Sequence, residues 1–426
     1  MVRSHNRVGM DTNCVVARAL FSCFSYLRWL YTSARSMDTL TASQPTALKT
    51  ASTGTRFLAL DIFRGITIAG MVLVNTPGSW QYVFSPLRHA PWNGCTPTDL
   101  VFPFFLFAVG NALAFSMSKY EAIGSAKVLK KIFTRTALIF GVGLLLHWYP
   151  FVRWSEGDLV FKSLENLRIM GVLPRIALAY MGGALIVHFF KPAKAFIVAA
   201  ILLLAYWGIL LAFGDLTLEG NAVLKIDRWL LGENHMYKGY HSDVLQRNIA
   251  FDPEGLLSTI PAIASVIFGF LAGKFLRAKG NSYETISWLF MAGLTFLFLG
   301  LCWDLVFPIN KPIWSSSYVL YTTGLATVIL SMIIFVTDLK EHKTWSRPFV
   351  LFGRNPLLLY ILSGVIVKTY GLILIDDTNA YGALYKYVFQ PIGGNYFGSL
   401  LFAIFHVLLL LVVAWWLDRR KVYFRV

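Results

Sequence analysis

His89 is the side chain in this sequence best suited to do chemistry. It sits in RHAPWNG, between two apolar runs, and Asp99 follows ten residues later. An imidazole can take a proton from an amine or hydroxyl near neutral pH, or accept an acyl group itself. A carboxylate can orient that ring, as the third member of an acyl-transfer triad does. Asn75, closing the preceding apolar run, carries an amide that could donate to a developing oxyanion. Together these residues point to chemistry inside a membrane protein. A lone loop histidine is more often a surface group, and His147, His188, His235, His241 and His406 compete for the role. His235 is the serious rival, and His406 on an apolar face reads as a satisfied core residue.

Other residues could hold ligands. Asp61, Arg64 and Asn75 fall within about 60° of one face of a single helix. They line either a cavity or a polar seam that locks the helix into a bundle. Arg64, Arg175, Lys274, Arg354 and Asn355 are the candidates for gripping phosphates of an anionic ligand. Arg168 is a further, weaker candidate, and the competing reading pairs each of these arginines with a nearby acid for packing. Trp92 and Asn93 beside His89, with Asp227, Trp229 and His235 in IDRWLLGENHMY, are the candidates for a second substrate. Aromatics there suit sugar stacking and membrane interfaces equally. Pro103, Pro174, Pro261 and Pro356 are expected to interrupt spans and free backbone carbonyls.

The elements that must position these groups are membrane helices. The chain is 56% hydrophobic and 14% charged over 426 residues, with mean hydropathy +0.60, which excludes an ordinary soluble enzyme. Apolar runs long enough to cross a bilayer are expected near 57–76, 100–118, 132–149, 169–189, 195–213, 255–274, 284–304, 314–337, 348–368 and 395–417. The expected fold is therefore an all-α, polytopic membrane bundle of about ten helices. Its excess of 38 Lys and Arg over 22 acids could suggest nucleic acid. The basic residues instead occupy alternate loops, which predicts both termini in the cytoplasm and no nucleic-acid role. Residues 1–55 read as a basic tail, disordered or started too early, whose patch Cys14–Tyr31 is too short and charged to span. Residues 56–426 form the membrane domain, and the insertion at 214–254 is expected to cap its outer face. The cysteines have no metal spacing, and a Cys95–Cys302 disulfide is conceivable.

Several segments resemble the catalytic region of heparan-alpha-glucosaminide N-acetyltransferases. In order they are LDIFRGITIAGMVLVN, HAPWNGCTPTDLVFPFFLFAVGNALAFSM, GVLPRIALAYM, IDRWLLGENHMY, FDPEGLLSTIPAI and NKPIWSSSYVL, running from about Arg56 to the C-terminus. The resemblance is to a bacterial branch of that family, within a wider group of transmembrane acyltransferases. It implies cytosolic acetyl-CoA as donor, an amino sugar or glycan across the membrane as acceptor, and a bacterial inner membrane as the location. It places the family's catalytic histidine on His89 and its asparagine on Asn75, with Asp99 in the matching segment. The interval from Asn75 to His89 is longer than in the animal enzyme, which touches loop geometry. The large luminal N-terminal region of that enzyme has no counterpart, which argues against heparan sulfate itself as substrate. A homodimer is left open. The rival class is a transporter of sugars or amino sugars, for which broken helices and midplane polar groups are equally apt.

Overall fold

The structure, a computed structural model, describes residues 57–120 and 124–424. The tail at 1–55 and its apolar patch lie outside the described residues. Long helices form at the expected stretches: α1 (Leu58–Asn75), α2 (Pro97–Tyr120), α3 (Ser125–Trp148), α4 (Val172–Phe189) and α5 (Pro192–Phe213). A short helix α6 (Ala222–Leu231) follows in the insertion, then α7 (Thr259–Lys279), α8 (Tyr283–Asp304) and α9 (Ser316–Ile334). The last part comprises α10 (Arg347–Arg354), α11 (Pro356–Tyr370), the short α12 (Ala380–Leu384) and α13 (Gln390–Arg419). Three small antiparallel hairpins decorate the loops: β1–β2 (Val152–Ser155 with Asp158–Phe161), β3–β4 (Tyr240–Ser242 with Arg247–Ile249) and β5–β6 (Leu374–Ile375 with Thr378–Asn379). This is an all-α, multi-pass membrane fold.

Among the described residues, eight helices are long and apolar enough to cross a bilayer, or nine if the bent α10–α11 pair counts as one. The expected ten differs by α3. That helix has 24 residues, but Lys127, Lys130, Lys131 and Arg135 load its first turns with charge. The proline expectation needs a larger correction. Of the four, only Pro103 lies beyond the first turn of a helix. Pro174 and Pro261 fall in the first turns of α4 and α7, where a backbone N–H has no intrahelical partner to lose. They start helices instead of interrupting them. Pro356 does break its span, opening α11 after a 77° bend.

Close backbone contact holds the centre together. Where α2 crosses α7, a Cβ on Gly110 would lie 2.0 Å from Val266 O, and one on Gly269 would lie 2.1 Å from Phe107 O. Only glycine fits such a crossing, the usual means of close helix packing in lipid. By contrast, α5 and α8 are only 22% buried, with Ile197, Ile201, Leu204 and Phe298 turned outward, as lipid-facing helices are. The hairpins and long loops gather at one end of the bundle, tied by Trp154 Nε1 to Leu372 O and Gly78 N to Ser399 O. Residues 61–64, 281, 338, 353–355 and 418–424 meet at the other end, which also carries the basic loops.

Candidate active site

The loop from α1 to α2 brings His89 onto Asp99. Asp99 is the third residue of α2, and its Oδ2 accepts the backbone N–H of Thr96 at 3.0 Å, the return half of a capping box. The same oxygen accepts Thr96 Oγ1 at 3.0 Å and Ala90 N at 3.1 Å. Its Oδ1 takes the Nδ1–H of His89 at 2.6 Å. The carboxylate is 1% exposed, whereas the imidazole is 44% exposed. Nδ1 is thus committed, and Nε2 is the nitrogen left to act.

A third member comes from the loop between α8 and α9. Lys311 Nζ lies 3.0 Å from His89 Nδ1, 3.4 Å from Nε2 and 3.5 Å from Asp99 Oδ1. Burial lowers the pKa of this ammonium, against the opposing pull of Asp99 and Glu254. The loop is pinned to the histidine loop by Gly94 N to Ile309 O at 2.7 Å and Asn310 Nδ2 to Asn93 Oδ1 at 3.0 Å. Gly94, at φ 105°, supplies a backbone turn that other residues resist. Asn310 Oδ1 takes Ile313 N at 2.9 Å, closing the turn around buried Trp314. NKPIWSSSYVL carries part of the resemblance, but nothing within it marks Lys311 as a site residue. The spacing gave no signal that Lys311 meets a histidine 222 residues away.

Other candidates fall into two groups. Trp92 donates Nε1–H to Leu216 O at 2.8 Å and packs its ring on Phe251, fastening the insertion over the site loop. His235 donates from Nδ1 to Leu167 O at 2.8 Å and holds the neighbouring loop. Asp227 is buried and accepts Leu256 N at 3.1 Å and Leu257 N at 2.9 Å. Burial pushes its carboxyl up to about 6 despite those bonds. Trp229 is 82% exposed. Asn75 ends α1 exposed, and its amide has no hydrogen-bond partner among the described residues. No hydrogen bond joins it to His89.

The basic candidates are mostly engaged. Arg64 pairs with Asp61 at 2.7 Å and donates Nε–H to Gly353 O at 2.9 Å, so this seam packs α1 against α10. Arg354 pairs with Asp418, while Asn355 bonds Val422 O at 3.1 Å and Phe424 N at 2.9 Å. Arg175 is fully buried, bonded to Gly255 O and Ser258 Oγ and stacked 4.9 Å over Trp314. It braces the site loop from behind. Arg168 pairs with Asp252 and Glu254, each at 2.6 Å. Lys274 is exposed near the basic end, 6.0 Å from the Phe270 ring and in no ion pair among the described residues. His406 is buried with Nδ1 on Phe402 O, but its Nε2 has no partner there, so it is only half satisfied. Cys95 is a free thiol that burial, then Asp99, pushes up to about 12, so it is neither bridged to Cys302 nor a ready nucleophile.

The fold and site together define a multi-pass, all-helical membrane protein with a histidine–carboxylate pair at one end. Within that class, the chain is similar to heparan-alpha-glucosaminide N-acetyltransferases. Residues 56–230 match the family described as "Heparan-alpha-glucosaminide N-acetyltransferase, catalytic". The protein of that name from Homo sapiens is 30% identical over 368 residues, covering 75% of this chain and 54% of that one. The Mus musculus protein is 32% identical over 360 residues, covering 73% and 53%. This chain thus spans about half the length of the curated relatives it matches. The matched family segment contains His89, Asn75 and Asp99, while Lys311 lies beyond it.

Proposed function

We propose that this chain is a membrane acetyltransferase that moves an acetyl group from acetyl-CoA to the amino group of a sugar or glycan. The observation carrying this reading is the 2.6 Å His89–Asp99 pair with Lys311 against it. Asp99 fixes the ring so that Nε2 presents a lone pair. Nε2 takes the proton of the attacking amine as the C–N bond forms. It returns that proton to the departing CoA thiolate as the C–S bond breaks. If Nε2 attacks first, the acetyl group rests on the imidazole before the amine displaces it. The Lys311 ammonium and the free Asn75 amide stabilise the negative charge that grows on the carbonyl oxygen.

The donor enters from the basic end, which faces the cytoplasm together with both termini, and the acceptor reaches the hairpin end. The membrane is the inner membrane of a bacterium. Lys274 is the best phosphate contact, because Arg64, Arg354 and Asn355 are tied into the fold and Arg175, whose Nε and Nη1 lack a partner, is fully buried behind the site loop. Purified protein incubated with acetyl-labelled acetyl-CoA and a panel of amino sugars tests the assignment. Label on a sugar amine is the expected result. Sugar accumulated in proteoliposomes without CoA release would replace the enzyme with a carrier.

A further inference from the structure

A groove of about 350 Å³ runs between α10 and α13 at the basic end, lined by Arg347, Pro348, Leu351, Leu411, Val412 and Trp415. Apart from Arg347, every wall residue is apolar. The segment holding α10 is bent 77° from α11, so where α11 crosses the bilayer α10 turns toward the membrane plane. Helices that cross steeply touch over a short stretch and leave a wedge beside the contact. One wall of this wedge faces lipid: Val412 is 60% exposed, and Leu408 and Trp416 on the same helix also turn outward. Trp345, Trp415 and Trp416 are exposed at this end, where indoles mark the boundary between hydrocarbon and headgroups.

Two guanidinium groups border one of those indoles. Arg347, the first residue of α10, lines the groove with Trp415, and Arg419 stacks 4.4 Å over the Trp415 ring. Neither arginine forms an ion pair or a side-chain hydrogen bond among the described residues. Asp418, the acid next to Arg419, is taken by Arg354 and by Tyr423 Oη at 3.0 Å. An apolar trough that ends in two uncompensated guanidinium groups suits one acyl chain and one phosphate. A zwitterionic lipid carries an ammonium that opposes these arginines, and an anionic one does not. A second copy of this chain, docked by the same face, would set arginines against arginines.

We propose that this groove binds one anionic phospholipid, with its chain along Leu411 and Val412 and its phosphate on Arg347 and Arg419. The inference rests on the membrane fold and not on the acetyltransferase reading. The test is native mass spectrometry of the purified full chain, released from micelles holding phosphatidylglycerol or phosphatidylcholine with identical acyl chains. One phosphatidylglycerol is expected to bind at least about tenfold more tightly than phosphatidylcholine, as two basic residues at a membrane surface imply. Arg347→Gln is expected to cut that preference at least about threefold. Val412→Trp fills the groove from its exposed wall and is expected to weaken both lipids. Thermal midpoints without lipid show that the variants fold, and Arg347→Gln, at an exposed position, decides alone if Val412→Trp does not. Equal retention of the two lipids, or a preference unchanged in Arg347→Gln, overturns the site. So does a protein dimer that Val412→Trp dissociates while lipid retention stays the same, which would make the groove a contact between copies. A wild type that acetylates no amino sugar overturns the enzyme reading and leaves the lipid result to decide the groove.

Discussion

Asp99 has no unused capacity: His89, Ala90, Thr96 and Lys311 fill the space around its two oxygens. Such a group positions the imidazole and does not exchange protons with substrate. Asp99→Asn keeps the shape but turns a donor toward His89 and selects the wrong tautomer. Turnover is expected to fall about 10³- to 10⁴-fold with little change in KM. An unchanged kcat would remove Asp99 from the mechanism. Lys311→Met tests the residue that spacing could not reveal. Loss of one oxyanion contact predicts a fall of about 10²-fold in kcat, measured beside a thermal midpoint to exclude unfolding. His89 and Asp99 were legible together because one short segment holds both. Lys311 was not, since its encounter with His89 depends on how the loop before α9 folds back.

At the scale of elements, the insertion is held by Asp227, which receives two backbone N–H groups just before α7. Its folded pKa, about 6, stands above the ordinary 3.8 because burial outweighs those bonds. The folded state therefore keeps a proton that the unfolded chain has lost, and stability falls as pH rises from about 4 to 6. The displacement amounts to roughly 3 kcal/mol, fully present below pH 4 and gone above 6. Thermal midpoints across that window should decline less steeply in Asp227→Asn than in the wild type. Identical slopes would mean that Asp227 does not titrate there. In sequence, Asp227 stands beside Trp229 in IDRWLLGENHMY and so reads as a substrate contact. Nothing in spacing reveals that backbone N–H groups will surround a carboxylate. The same limit explains Arg354 and Asn355, whose partners in the C-terminal segment lie 64 or more residues away. Pro174 and Pro261 were misplaced because apolar runs continue through loop and helix alike, hiding the true helix starts.

For the whole molecule, hydropathy made the bundle readable: each expected span contains a long helix or the bent pair. Charge blurred only α3. The direction of the polar groups was less accessible. The Asp61–Arg64 end of α1 packs on α10 and the opposite end leaves Asn75 open, so one helical face serves packing at one end and exposure at the other. The architecture delivers two loops, from α1–α2 and α8–α9, to a single point at the hairpin end. The most direct measurement is the rate of acetyl transfer from acetyl-CoA to glucosamine by purified wild type and His89→Ala, at matched thermal stability. A loss of at least about 10³-fold in the variant is predicted. Transfer at the wild-type rate would show that the imidazole held by Asp99 takes no part in the chemistry.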